Sequence, residues 1–407
     1  MSLLFVTVTL ILFAALLATH VQLRRAVRSP HAPLPPLPAY PSVSVIRPIR
    51  GLDAGARENI AAALDTGYPG EIETIFVFDD ESEPALPLVR EAIEGHAAAH
   101  GHGVASVLIA GTPPPYRTGK LHAMIAGVQA ARGDLIAFGD SDTRPDPLAI
   151  RRLVEKLLST PGAGSAFAPV VVVSDGPRTA GDVGAALALN GLYGPSLAMA
   201  ERRRGELPFI MGQLMIFRRD TLAAIGLENI RGELVDDMHI GMRVTAAGLR
   251  NVVSPQPLPI VVDGTSLSQF ARMYRRWLIF SRSGLQNWQF NWPHWLRGCE
   301  FLFAFALTVG SVERGHVAAA LLPAATVLCF AWSTVRLHED LGGNRVGLRH
   351  AWMAFVLPLS APFVFLSAVL HPAVDWRGRT YQLDLKSRLN DDRRPMDEDT
   401  STPRSLS

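Results

Sequence analysis

Three pairs of carboxylates carry the chemistry that this sequence could perform. Asp79 and Asp80 follow an apolar run at 73–78 (ETIFVF). Asp140 and Asp142 flank Ser141, just past a second apolar run at 135–138 (LIAF). Asp236 and Asp237 come after a loop and open a periodic stretch at 235–247. Carboxylates paired at a strand end can hold Mg2+ or Mn2+, an ion that also takes oxygens from a substrate diphosphate. A further carboxylate can accept the proton of an attacking hydroxyl. Each pair alone has a plainer reading. Two would be strand-end turns, where Asp and Ser favour local hydrogen bonds. The third would be a helix start, where acidic side chains complement the dipole. All three in this order, followed by a basic segment rich in tryptophan, fit one active site better than three unrelated features.

The elements needed to position these acids are legible in the pattern. A strand at 43–48 opens the series, followed by a helix at 52–64 and the strand at 73–78. A helix at 87–99, a strand at 105–110 and a helix at 116–131 come next, then the strand at 135–138 and a helix at 147–158. Strands alternating with helices predict an α/β fold with a parallel, doubly wound sheet. In such sheets ligands bind outside the carboxyl ends of the strands. Beyond Gly162 the pattern loosens. It predicts one β-branched strand at 166–173, a helix at 181–199, a strand at 209–217, short and longer helices at 219–225 and 235–247, and one or two strands at 252–262.

The chain has 407 residues, 48% of them hydrophobic, and a net charge of +2. No overall basic field points to nucleic acid. Cys299 and Cys329 form no CxxC pattern, which argues against a zinc site or a disulfide framework and predicts two buried, inert thiols. Residues 3–18 are nearly unbroken apolar sequence, with Arg24, Arg25 and Arg28 after them. A secretory signal would carry its charge before the apolar run. The opposite order predicts an uncleaved anchor, amino end outside and the bulk of the chain in the cytoplasm. Residues 31–41 are Pro-rich and read as a stiff linker.

Near the other end, 266–297 mixes Arg272, Arg275, Arg276, Arg282 and Arg297 with Trp277, Trp288, Trp292 and Trp295, the composition of helices lying at a membrane surface. Apolar stretches follow at 301–312, 318–335 and 351–370, the last broken by Pro358 and Pro362. If all three cross, Arg377, Arg379, Lys386 and Arg388 end outside, against the positive-inside tendency. A re-entrant segment among the three, or one lying in the interface, would place them inside. The expected layout is an anchor at 1–23, a linker at 24–41, a cytoplasmic catalytic domain at 42–265, interfacial helices at 266–298, transmembrane or re-entrant helices at 299–371 and a polar tail at 372–407, disordered from 390.

Several stretches together resemble the inverting membrane glycosyltransferases of the family 2 type, and most of all the ceramide glucosyltransferase branch, family 21, with its bacterial hopanoid-associated relatives. They are PSVSVIRPIRGLD at 41–53, FDDESEPA at 78–85, GKLHAM at 119–124, GDSD at 139–142, MGQLMIFRRDTL at 211–222, ELVDDMHIGMRV at 233–244 and WRGRTY at 376–381. The resemblance implies a GT-A-type, Rossmann-like nucleotide-sugar domain. It implies transfer of a hexose, glucose first, from a UDP-sugar to a membrane lipid hydroxyl with Mg2+ or Mn2+, in a multi-pass protein of the bacterial inner membrane. Ceramide is the leading acceptor. A hopanoid or other lipid alcohol is the alternative, and a processive polysaccharide synthase fits less well.

Residue by residue, the resemblance puts Asp80 on the first motif's key acid, with Asp79 beside it. Lys120 becomes a phosphate contact. Asp140 is the core acid of the second motif, with Asp142 as its metal-binding partner. Asp237 becomes the general base, with Asp236 beside it. Arg276 is the diphosphate contact and Trp277 packs the acceptor pocket. The family's Gln, Arg or His four residues before that Trp is Met273 here. Arg272 and Arg275 sit beside it, and Arg272, one residue away, is the substitute, turned by about 100° on a helix.

Overall fold

The computed structural model describes residues 3–100, 104–234, 236–284, 287–371, 373–376, 379–383 and 388–389. A long helix α1 (Leu3–Arg28) precedes the α/β domain. There β1 (Val43–Pro48), α2 (Ala56–Leu64), β2 (Ile72–Phe78), α3 (Leu86–His100), β3 (Val104–Ile109), α4 (Gly119–Ala130), β4 (Leu135–Gly139) and α5 (Ala149–Ser159) alternate as the sequence predicts. Next come β5 (Ala163–Phe167), β6 (Val170–Val173), α6 (Ala180–Ala186), a π-helical stretch (Leu187–Tyr193) and α7 (Gly194–Arg204). The domain closes with β7 (Leu214–Arg218), α8 (Arg219–Ala224), α9 (Asp236–Ala246), β8 (Arg250–Val253) and β9 (Leu258–Val261). The rest is α10 (Leu267–Gly284), α11 (Asn287–Glu313), α12 (Val317–Asp340), α13 (Met353–Leu370) and a hairpin of β10 (Ala373–Trp376) with β11 (Arg379–Gln382).

Among the described residues the main sheet has seven strands, in the order β3-β2-β1-β4-β7-β5-β8. It is parallel except for β7, which runs antiparallel to both neighbours. Strand alternation explains how both faces are covered. Ile136, Phe138, Met215 and Phe217 point to the face holding α4, α8 and α9. Leu135, Ala137, Leu214 and Ile216 point to the face holding α5. Phe76 and Phe78 of β2 pack with α2 and α3. Because β7 is reversed, its amino end meets the carboxyl end of β4, with Gly139 opposite Leu214. The loops bearing Asp79, Asp140 and Gln213 therefore share one edge.

Several expectations change in detail. The strand expected at 166–173 is two, β5 and β6, separated at Pro169, a residue that cannot donate to a ladder. β6 leaves the main sheet and pairs with β9. Helix α1 runs to Arg28, so the linker starts later than residue 24, and Leu37 and Tyr40 pack against the core. The boundary placed at 298 falls inside the continuous helix α11. The expected polar tail begins with a hairpin and returns to the domain, where Leu389 N donates to Gly232 O at 2.8 Å. Cys299 is exposed and Cys329 half-buried, not both buried, because both lie on helices of the apolar belt. Residues 390–407 lie outside the described part, as do Arg377 and Lys386 and the side chains of Asp236, Trp288, Trp292, Trp295, Arg297 and Arg379.

Four helical stretches are long and apolar enough to cross a membrane: Leu4–Arg28, Ala180–Arg204, Val317–Asp340 and Leu348–Leu370. The second was expected only as a soluble helix. Its small residues let neighbours approach closely. A Cβ on Gly184 would collide with Met353 and Phe270, and one on Gly191 with Thr334. Large apolar side chains of α1, α11, α12 and α13 stay exposed, among them Ile11, Phe303, Leu321 and Phe363. Such a belt suits lipid rather than water, and this is a membrane protein.

Candidate active site

A cleft opens at the carboxyl edge of the main sheet. Pro48, Ile49 and Arg50 line it after β1, Asp79 after β2, Gly119 and Lys120 at the start of α4, and Asp140 to Asp142 after β4. Gln213, Leu234 and Asp237 form its floor. Arg276, Trp277 and Phe280 of α10 and Tyr381 of β11 close the remaining wall.

The side bearing Asp79 and Asp140 is built from ion pairs. Arg50 pairs with Asp79. Lys120 Nζ lies 2.5 Å from Asp140 Oδ1. Asp140 N donates to Gln213 O at 2.9 Å, which ties the β4 loop to β7. Beneath it Arg47 is fully buried and donates to Asp140 O at 2.7 Å, Thr143 O at 3.2 Å and Thr143 Oγ1 at 3.1 Å. Burial pulls the Arg47 guanidinium down to about 10, against the opposing pull of Asp140, Asp142 and Asp53, so it stays charged at neutral pH. Ser141 Oγ donates to Asp53. The backbone of Asp140 is thus held from both sides and Ser141 by its hydroxyl, leaving the Asp140 and Asp142 carboxylates facing the cleft.

Lys120 also sits in the first turn of α4. Thr118 caps this helix, accepting from Leu121 N at 3.2 Å. Unpaired amides and a positive dipole end at such a start attract anions.

Asp237 has a different setting. It lies in the first turn of α9, with Oδ2 accepting from Gly212 N at 2.6 Å and Oδ1 from Met238 N at 2.8 Å. Burial pushes its carboxyl up from the usual range, and Asp140 pushes the same way. Lys120 and the two amides pull it down without cancelling the burial. Gly212 is required here by close approach, since a Cβ would stand 2.6 Å from Asp237 Oδ2.

The structure brings together Asp79, Lys120, Asp140, Asp142, Asp237, Arg276 and Trp277 of the residues singled out from sequence. It places others elsewhere. Asp80 points to solvent and accepts from Ser82 N at 2.8 Å and from the Ser82 hydroxyl, hydrogen bonds that lower its carboxyl. Asp79, not Asp80, continues the pleat of β2 into the cleft. Arg275 turns away from it, donating to Ala373 O at 2.9 Å, to His371 O and to Ser367 Oγ at 3.3 Å. It fastens α10 to α13 and the hairpin rather than reaching a ligand. Arg272 is exposed outside the cleft, and Met273, also on α10, is partly buried against the apolar cluster that α10 shares with α13.

Arg50, Gln213, Phe280 and Tyr381 were not singled out. Arg50, Gln213 and Tyr381 lie within conspicuous stretches, 41–53, 211–222 and 376–381, but nothing local shows which side chain turns inward. Among the described residues no three His, Cys, Asp or Glu side chains cluster to hold a metal unaided.

The profile of Glycosyl transferase family 21 matches residues 5–389. Ceramide glucosyltransferase 3 of Caenorhabditis elegans is 21% identical over 350 residues, which are 84% of this chain and 72% of that protein. Ceramide glucosyltransferase 1 of the same organism is 24% identical over 356 residues, 85% of this chain and 72% of the relative. Among solved structures, the mannosyltransferase PcManGT from Pyrobaculum calidifontis in complex with GDP-Man and Mn2+ aligns over 89% of this chain and 97% of its own, at 17% identity and a TM-score of 0.45.

Proposed function

Since this chain belongs to glycosyl transferase family 21, we propose that it transfers a hexose from a UDP-sugar to the hydroxyl of a membrane lipid, ceramide or a lipid like it, in one inverting displacement. The protein is a glycosyltransferase, and we read its largely parallel seven-stranded sheet as a GT-A-type domain. The choice of UDP, of the lipid and of inversion is our reading, and its main support is the setting of Asp237. A half-buried carboxylate is held by two backbone amides at the cleft floor, between a cationic wall and an apolar one.

On this reading the diphosphate lies over the start of α4, against Lys120 and Arg276. Asp79 and Arg50 form the nucleoside end. Asp140 and Asp142 supply hard carboxylate oxygens suited to Mg2+ or Mn2+, and the Lys120 ammonium seated on Asp140 supports reading this spot as one for positive charge. A divalent ion bound there would neutralise charge on the leaving diphosphate. The acceptor enters along Trp277, Phe280 and Leu234. Its hydroxyl oxygen attacks the anomeric carbon from the face opposite the diphosphate, and its proton passes to Asp237. The carbon–oxygen bond to the diphosphate breaks, and the electron pair departs with it. The raised affinity of Asp237 for protons makes it a stronger base than an exposed Asp.

The test uses full-length protein in lipid vesicles with radiolabelled UDP-sugars, with and without Mn2+ or Mg2+, and with ceramide, diacylglycerol or hopanoid as acceptor. Label is expected in a ceramide-type lipid, absent with Asp237→Asn. Label in hopanoid alone would replace the acceptor, and label in a water-soluble polymer would replace the reaction.

A further inference from the structure

We infer that α13, although long and apolar enough to cross a bilayer, lies in the surface of the leaflet facing the catalytic domain and does not cross it. The two ends of this helix carry the inference. The loop before it is bonded to the domain: Ser174 N donates to Asn344 Oδ1 at 3.0 Å, and Arg178 donates to Asn344 O at 3.2 Å and to Arg345 O. The residues after it are held by Arg275, the neighbour of the cleft residue Arg276, which donates to His371 O and to Ala373 O at 2.9 Å. The hairpin that follows puts Tyr381 into the cleft. An upright helix of this length would carry its ends about 27 Å apart along the membrane normal. Both ends are instead fastened to the catalytic side.

The side chains agree with a helix lying flat. Met353, Ala354, Leu357, Phe365 and Ala368 are buried on one face, in the cluster that includes Val183 and Leu187 of the 180–204 helix and Phe270, Tyr274 and Leu278 of α10. Trp352, Val356, Phe363, Leu366 and Leu370 are exposed on the opposite face, spaced four, seven, three and four positions apart. Such spacing makes one stripe along the whole helix. Helix α11, against which α13 packs, exposes apolar side chains of its own, Phe303, Phe305 and Val309 among them. The occupant of the α13 stripe is the acyl region of the near leaflet. The helix at 180–204 is constrained in the same way, since it leaves β6 and returns to β7.

The crossing elements are then α1 and α12, together with α11, which is not one of the four apolar stretches but packs along α12 and must carry the chain to the side where α12 begins. The last two form an antiparallel pair that turns at 314–316, on the far side. Arg24 Nε lies 2.7 Å from Asp340 Oδ2, so α1 and α12 end together on the catalytic side.

The test does not depend on which sugar or lipid the enzyme uses. In a background of Cys299→Ser and Cys329→Ala, single cysteines replace Glu94, Arg314, Gly347 or Gln382 in the full chain. An impermeant maleimide is applied to sealed vesicles of either orientation. Gly347→Cys and Gln382→Cys are expected to react in the same vesicles as Glu94→Cys, and Arg314→Cys only in the opposite ones. Reaction of Gln382→Cys together with Arg314→Cys would overturn the inference. Spin labels at Val356, Phe363 and Leu370 should report one shared depth. A graded depth from one end to the other would equally refute it. Activity is measured on the same vesicles, so failure of the proposed transfer is distinguished from failure of this topology.

Discussion

The two walls of the cleft use the same residue type in opposite ways. On one wall Asp79 and Asp140 each face a cation, Arg50 and Lys120, and buried Arg47 supports the loop between them. Toward the other, Asp237 lies on the floor with Leu234, on the side that Trp277 and Phe280 close, with backbone amides as its bonded partners. A paired carboxylate keeps its charge and can organise other charges. A buried one holds its proton more tightly and can take one from a hydroxyl. The environment assigns the role, as expected where acids of one type perform two tasks.

The sharpest way to break this contrast is Asp237→Asn. The rate should fall by roughly 10²–10⁴-fold, the usual worth of a general base, while the UDP-sugar still binds. Near-normal turnover would remove Asp237 from the chemistry. On the paired wall, Asp140→Ala should cost on the order of 10²-fold in rate and abolish the response to Mn2+ in steady-state assays. An unchanged metal response would move the cation elsewhere.

The pH profile sharpens the same comparison. As the proposed base, Asp237 would act only when deprotonated, and burial raises the pH at which that happens. Turnover should therefore fall as pH drops through a value above the ordinary Asp range, not within it. His239 does not confuse this limb. Burial, Arg243 and Arg388 push it down to about 4 despite Glu233 at 3.5 Å, so it is neutral near pH 6 and above. An acid limb at the normal Asp value would show that the cleft is wetter than its walls imply.

Trp277→Ala should raise the lipid KM about tenfold, for a loss of roughly 1.4 kcal/mol of apolar contact, and leave the donor KM unchanged. The smallest effect belongs to the segment at 388–389 that returns to the domain. Arg388 Nε lies 3.2 Å from Glu233 Oε1 at a largely exposed site. Arg388→Ala should cost under about 1 kcal/mol in a thermal melt.

Local sequence carried much of this. The alternation through 43–159 is readable because apolar period and turn chemistry act over a few residues, and the order of the three acid pairs comes with it. The pair at 79–80 shows where that reading stops. Both residues look alike in sequence, and only the pleat of β2 and the reach of Arg50 from β1 separate the one in the cleft from the one in a turn with Ser82. Arg275 and Arg276 differ in the same way, by one step around α10.

The sequence by itself determined the α/β alternation, the apolar helices and the acids at strand ends, since each depends on near neighbours along the chain. Tertiary structure decided the reversal of β7, the side chains that face the cleft and the burial that raises Asp237. It also decided which apolar helices are covered by protein. Each of these depends on residues far apart in the chain meeting in space, and hydropathy is the same whether a leucine faces lipid or another helix.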